Sequence, residues 1–238
     1  MKYMGSKNRI AKHLLPIMLK EAEKHSITKW VEPFCGGCNM IDKVPDSFER
    51  VGYDLNEYII EMFKSLQQGF IPKDLYSKEE YDYIKSNKDE NKALTGYVGI
   101  NCSYSGKWFG GYAGIVNTKG GVRNYQEEAK RNVLKQITNL RGVEFYSSSY
   151  ESLDFTACLI YSDPPYKGTT EYKDSGFDHD KFYDWCSQQA KKNIVFVSEY
   201  NAPNDFECVW EQEVKSSLSA NGVIGGNKVS VEKLFLVK

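Results

Sequence analysis

The chain has 238 residues, of which 41% are hydrophobic and 26% charged, enough to pack a core and too apolar for a disordered chain. Lys and Arg number 31 against 32 Asp and Glu, a net charge of −1, so nucleic acid would have to be met by a local basic face and not by a global excess. No apolar run approaches the roughly 18 residues of a membrane span, and six scattered cysteines are expected as reduced thiols of a cytoplasmic protein, not as a disulfide scaffold. The first residues lack an apolar stretch with a small-residue cleavage site, so no signal peptide is expected.

In chain order, residues 6–24 are predicted as a helix, apolar at Ile10, Leu14, Leu15, Ile17 and Met18, with Pro16 a candidate kink. Residues 29–34 form a short strand running into Cys35-Gly36-Gly37-Cys38, after which a short helix is expected. A second strand over 49–54 ends in Asp54, and an amphipathic helix over 56–68 places Ile59, Ile60, Phe63 and Leu66 on one side. Residues 70–121 are weakly periodic and rich in Gly and Tyr. They are read as an insertion with helices over 78–86 and 92–100.

Regular alternation then returns: a helix over 125–140, strands over 143–147 and 157–162, a helix over 178–192 and a buried strand over 193–199. Strands over 208–214 and 232–237 close the chain as a hairpin through Gly222, Gly225 and Gly226. The alternation predicts a mostly parallel, Rossmann-like α/β sheet with a C-terminal antiparallel strand. The domain reading is a catalytic domain of residues 1–69 and 122–238 with residues 70–121 inserted.

Three sequence features carry chemistry. Asp54 lies 18 residues beyond Gly36 at the end of the next strand, the spacing at which nucleoside-binding sheets place a ribose-holding carboxylate. The glycines do not form GxGxxG, which favours a cofactor with adenosine but no phosphate cradle. Cys35 and Cys38 are read as small loop residues, because no second CxxC exists and His13, His25 and His179 lack ligand spacing; no metal site is expected. Between Asn101 and Arg141, seven basic residues stand against Glu127 and Glu128, with Tyr104, Trp108, Phe109, Tyr112 and Tyr125 interleaved. That is the composition of a surface that holds phosphates and stacks on bases, or of a solvated helix following an aromatic loop.

The most informative segment is Asp163-Pro164-Pro165-Tyr166 after an apolar strand. Two prolines fix φ and hold the residues before them extended. One carboxylate, backbone carbonyls and an aromatic face are thereby fixed where α/β sheets bind ligands. Asp163 and the Pro164 carbonyl can accept both hydrogens of a planar amine, and Tyr166 can stack on the ring that bears it. A nicotinamide oxidoreductase would leave this tetrapeptide without a task.

With these motifs in their order, the chain resembles the Dam-type DNA adenine-N6 methyltransferases. The resemblance covers Lys2–Lys7, residues 32–39, Tyr53-Asp54-Leu55-Asn56, Asp163–Tyr166, Phe196–Tyr200 and Glu232–Phe235. It implies S-adenosylmethionine as cofactor and double-stranded DNA as partner, with a monomer as the working expectation. Tyr3 and Lys7 would contact the methionine part of the cofactor, Pro33 and Phe34 would wall its pocket, Asp54 would hold the ribose, and Tyr150 would lie against the adenine. Asp163 would serve cofactor and target amine. Cys38 stands where members commonly have glycine or another small residue. Tyr104, Lys107, Trp108 and Arg123 are the candidate DNA contacts. Cytosine N4, RNA adenine and protein glutamine remain rival acceptors of the same bracket, and a non-catalytic DNA-binding relative is the rival of another class.

Overall fold

A computed structural model of the protein describes residues 1–166, 176–215 and 229–238. The predicted Gly222, Gly225 and Gly226 connection lies outside the described residues. In chain order the elements are α1 (Ala11–Lys24), β1 (Lys29–Glu32), β2 (Glu49–Asp54), α2 (Glu57–Gln67), α3 (Lys78–Ser86), α4 (Lys92–Asn101), β3 (Ile115–Thr118), β4 (Gly121–Asn124), α5 (Tyr125–Ile137), β5 (Val143–Ser147), β6 (Leu159–Ser162), α6 (His179–Ala190), β7 (Ile194–Glu199), β8 (Phe206–Lys215) and β9 (Val229–Val237). The large sheet has the order β5-β2-β1-β6-β7-β9-β8, and β3 and β4 form a separate pair. β1–β6, β2–β5 and β6–β7 are parallel, while β9 is antiparallel to β7 and β8. The predicted fold class and closing hairpin are as expected. Among the described residues no helix is long and apolar enough to cross a membrane.

The chain resolves into two compact units: Met1–Leu15 with Cys35–Ser149, and Pro16–Phe34 with Tyr150–Lys238. In the first, the Asn56 side chain accepts the Tyr58 and Ile59 amides and starts α2. α2 meets α4 closely: a Cβ on Gly96 would stand 2.0 Å from the Tyr58 carbonyl oxygen, so glycine permits the crossing. Phe63 stacks on Phe145 at 5.2 Å. Buried Arg50 donates to the carbonyls of Val44, Asn139 and Arg141 and pairs with Asp46 at 2.7 Å, so its charge is satisfied at the start of β2.

In the second unit Trp30, Leu159, Ile160, Val195 and Phe196 are fully or almost fully buried. Burying each such side chain stabilises by about 2 kcal/mol. The Trp30 indole donates to Glu32 at 3.0 Å, and the Tyr161 and Ser198 hydroxyls pair at 2.9 Å. Register sets Trp30 opposite Leu159 and Val31 opposite Ile160. The residues that follow, Pro33-Phe34 and Ser162-Asp163, therefore leave the carboxyl ends of two adjacent parallel strands. The strand order reverses direction there, which is where open α/β sheets bind ligands.

Three expectations are corrected. The short helix after the glycines is only a 3₁₀ turn, Ile41–Lys43. The first helix begins at Ala11, because Ser6 caps a separate 3₁₀ turn, Lys7–Arg9, whose first carbonyl is taken by the Ile10 amide; Pro16 sits inside α1. The helix after Tyr125 ends at Ile137 and tightens to a 3₁₀ turn over Thr138–Leu140, a common helix ending. One element was not anticipated, the β3–β4 hairpin.

Candidate functional site

Each unit carries part of the predicted chemistry. In the first, β2 delivers Asp54, whose Oδ2 accepts the Gly36 amide at 2.9 Å and whose Oδ1 accepts the Asn56 amide at 2.8 Å. One carboxylate thus closes the glycine turn and starts α2. Burial raises the Asp54 pKa above the ordinary carboxylate value, and the two amides oppose that rise. An ionised carboxylate has about four acceptor positions, so capacity remains for the two hydroxyls of a ribose.

The loop around Gly36 is tightly bound. A Cβ on Gly36, at φ +44°, would lie 2.8 Å from Cε1 of Tyr3, and one on Gly37 would lie 2.5 Å from the Tyr3 Cβ. The Tyr3 ring therefore rests directly on the glycine backbone. Cys38 is buried at φ 53°, in the left-handed region that favours glycine, and its amide bonds the Cys35 carbonyl at 2.7 Å. Gln136 of α5 donates to the Gly37 and Cys38 carbonyls, both at 3.0 Å, a support that sequence reasoning missed. Lys7 is buried with its ammonium donating to the Gly5 carbonyl at 3.1 Å. The described cysteines are all free thiols, with Cys208 exposed and the other five buried.

In the second unit Pro33 is buried and Phe34 half-buried at the end of β1. Phe34 packs at 5.5 Å from Tyr150, 5.9 Å from Phe177 and 5.5 Å from Phe182, so these rings form one aromatic wall. The Tyr150 hydroxyl is buried with no hydrogen-bond partner among the described residues. Burial pushes its pKa up to about 12, so it is a neutral donor at pH 7. An orphaned buried hydroxyl costs about 1–3 kcal/mol unless a bound group completes it, and an adenine nitrogen has the right chemistry. Each set by itself suits one part of a nucleoside: the acceptors of Asp54 suit ribose hydroxyls, and the Tyr150 donor with its aromatic neighbours suits a base.

Beyond β6, Asp163 is half-buried, Pro164 buried, Pro165 half-buried and Tyr166 8% exposed. Two latches hold this bracket, and neither was predicted. His179, the first residue of α6, places Nε2 2.9 Å from the Pro165 carbonyl oxygen. The Tyr166 hydroxyl donates to Glu232 of β9 at 3.0 Å, while the ring lies edge-on to Tyr200 at 4.6 Å. Burial, with Asp163 and Glu232 nearby, drives the Tyr166 phenol pKa well up, so it stays protonated and keeps donating. A hydrogen bond to a charged group contributes about 1.5–3 kcal/mol. The Pro164 carbonyl is not used by either latch.

The predicted DNA contacts fall in different settings. Tyr104 is 65% exposed and Lys107 is exposed. Trp108 is half-buried, stacked on Tyr58 at 5.7 Å and so close to Gly99 that a Cβ there would meet it at 2.5 Å. Arg123 lies on the β3–β4 hairpin, its Nη2 2.7 Å from Glu128 and its guanidinium 4.9 Å from the Tyr125 ring centroid. All of β3 and most of β4 are exposed. Only a partial signal for this hairpin was present: Ile115, Val116 and Thr118 ahead of the Lys119-Gly120 turn.

The profile of the family described as D12 class N6 adenine-specific DNA methyltransferase matches residues 3–206. A curated relative, the Type II methyltransferase M.MjaIII of Methanocaldococcus jannaschii, is 24% identical over 246 aligned positions that cover 84% of each chain. Similar solved structures include a putative methyltransferase, yhhF, from Escherichia coli, at 7% identity and TM-score 0.38, covering 95% of this chain and 85% of that one. Another is the magnesium protoporphyrin IX methyltransferase of Synechocystis PCC 6803 with bound SAM, at 8% identity and TM-score 0.38, covering 97% and 79%.

Proposed function

The chain belongs to the D12 class N6 adenine-specific DNA methyltransferase family, and on that premise we propose that it moves a methyl group from S-adenosylmethionine to the N6 amine of an adenine extruded from double-stranded DNA. The observation that carries this reading is the Asp163–Tyr166 bracket at the sheet's switch point, held at Pro165 by His179 and at Tyr166 by Glu232. When bound, the cofactor supplies an electrophilic methyl on a sulfonium. Everything else is work for the protein's own residues.

In the first unit Asp54 would accept ribose hydroxyls, Tyr3 and Lys7 would hold the methionine part, and Gly36 would let the backbone approach the cofactor; in the second, Pro33, Phe34 and Tyr150 would meet the adenine. Asp163 and the Pro164 carbonyl accept the two hydrogens of the target amine. That draws its lone pair out of conjugation with the ring, and fixed acceptors of this kind are worth several kcal/mol because they need no reorganisation. Asp163 takes up the proton that the amine loses as the new N–C bond forms. Tyr166 gives the extruded purine an aromatic face, offsetting part of the few kcal/mol that unstacking costs.

Residues 70–121 are the proposed target-recognition region and residues 1–69 and 122–238 the catalytic domain, with the β3–β4 hairpin running across the boundary to Asn124. Exposed Tyr104, Lys107 and Arg123 supply stacking and phosphate contacts there. Trp108 serves through its packing on Tyr58. An exposed ion pair such as Arg123–Glu128 contributes little to stability, so Arg123 is available to exchange its partner for a phosphate. The name of the archaeal relative supports a place as the modification enzyme of a restriction system. A monomer working in the cytoplasm of a bacterial or phage-infected cell suffices for this chemistry.

The test is to incubate the purified protein with methyl-labelled S-adenosylmethionine and duplex DNA, then digest the DNA to nucleosides. Label in N6-methyl-2′-deoxyadenosine is expected. Label only in N4-methyl-2′-deoxycytidine, or none in DNA, overturns the reading.

A further inference from the structure

The first unit contains a short segment that touches two sites at once. Residues 2–6 place Tyr3 on Gly36 and Gly37, as described above. The same residues also run against the turn at Tyr104–Gly106. The Met4 amide donates to the Gly106 carbonyl at 3.3 Å. Gly106 is buried at φ +69°, and a Cβ on it would lie 2.7 Å from the Lys2 carbonyl carbon and oxygen and 2.9 Å from the Tyr3 nitrogen. These are backbone atoms, which cannot step aside as a flexible side chain can. The Lys2 ammonium lies 5.2 Å from the centre of the Tyr125 ring, and the Arg123 guanidinium lies over the same ring. Lys2, Tyr3 and Met4 thus join the glycine loop to Tyr104–Gly106 and to the base of the β3–β4 hairpin.

We propose that residues 2–6 act as a strap coupling cofactor binding to DNA binding, with Gly106 the positioning residue that seats it. The proposal rests on the methyltransferase reading and goes beyond it: a residue in the DNA-recognition region sets affinity for the cofactor. Ordering of the Tyr3 ring on the loop by the cofactor fixes Lys2 and the Gly106 turn, and DNA held by Tyr104 and Arg123 fixes the same strap from its other side. Linkage makes the effect reciprocal, so each ligand tightens the other by one factor.

The experiment is calorimetric titration of S-adenosylhomocysteine into wild-type protein and Gly106→Ala, each with and without saturating mixed-sequence duplex DNA. Melting temperature and circular dichroism monitor the fold. Wild type is expected to bind the cofactor product about fivefold or more tighter with DNA present, within the usual range of coupling. Gly106→Ala is expected to bind it about tenfold more weakly without DNA and to lose the DNA effect to within about twofold. Should Gly106→Ala not fold, Lys2→Ala carries the test: its affinity for S-adenosylhomocysteine alone stays at the wild-type value while the DNA-dependent factor falls. A wild type without a DNA effect, or variants that keep the full effect, overturns the strap. A wild type that binds no S-adenosylhomocysteine at all overturns the methyltransferase reading beneath it.

Discussion

The Asp163–Tyr166 bracket and the β3–β4 hairpin are built on opposite principles. In the bracket Pro164 and Tyr166 are buried, two prolines stiffen the chain, and His179 and Glu232 tie it to α6 and β9. In the hairpin Ile115, Val116 and Val122 are 54%, 39% and 74% exposed, and its main-chain ladder is its chief internal restraint. Chemistry on an amine needs acceptors fixed before the substrate arrives. Reading a duplex needs side chains that reach out of the protein. Stability was therefore invested in one region and withheld from the other.

The largest expected effect breaks the rigid side of this contrast. Asp163→Ala is expected to lower the single-turnover rate of methyl transfer by about 10³-fold or more, the scale seen on removing a preorganised charge-stabilising group, with affinity for DNA preserved. A rate near wild type would show that the bracket is not where the amine is held.

An intermediate effect comes from Asp54. Asp54→Asn is expected to weaken S-adenosylhomocysteine binding about tenfold, the loss of charge-assisted hydrogen bonds. The pH dependence sharpens this. Burial raises the Asp54 pKa, so protonation begins at higher pH than for an ordinary carboxylate. Cofactor affinity of the wild type is expected to fall on acidification through that raised value, while Asp54→Asn shows no such decline. The fold responds with the opposite sign. A carboxyl with a raised folded-state pKa contributes its stability below the ordinary carboxylate value and loses it as pH rises through the raised one. Acid thus weakens cofactor binding through Asp54 without unfolding the protein through it. Calorimetry and thermal melts across pH 4 to 7 separate the two (about neutral to about the reference carboxylate value).

The smallest effect lies in the hairpin. Arg123→Ala is expected to weaken duplex DNA binding a few-fold and to reduce the slope of log affinity against log salt by about one. Melting temperature should not change, because the exposed Arg123–Glu128 pair adds little to stability. Fluorescence titration at several salt concentrations checks this, and a large fall in melting temperature would make the hairpin a structural element.

What was legible in the sequence follows the same division. The tetrapeptide at 163–166 could be read because it is local, and the Asp54–Gly36 relation, 18 residues apart, because the ends of consecutive strands fix that spacing. The fold class was legible from alternating periodicity. His179 and Glu232 were not, since their bonds reach 14 and 66 residues along the chain and depend on strand order. Gln136 and Gly106 escaped likewise, because a support is visible only once the segments it joins are in place. The hairpin was missed for a different cause. Four residues of β3 are all exposed, so no alternation of buried and exposed positions marks the strand. The positive φ of Cys38 carries no sequence signal of its own.

A crystal structure of the protein with S-adenosylhomocysteine and a duplex bearing a methylation site mapped with the enzyme itself shows whether Asp163 and the Pro164 carbonyl grip one extruded adenine amine. The target N6 is expected within about 3 Å of both the Asp163 carboxylate and the Pro164 oxygen, with the purine against Tyr166. A target adenine still stacked in the duplex, or flipped with its amine facing other residues, would contradict it.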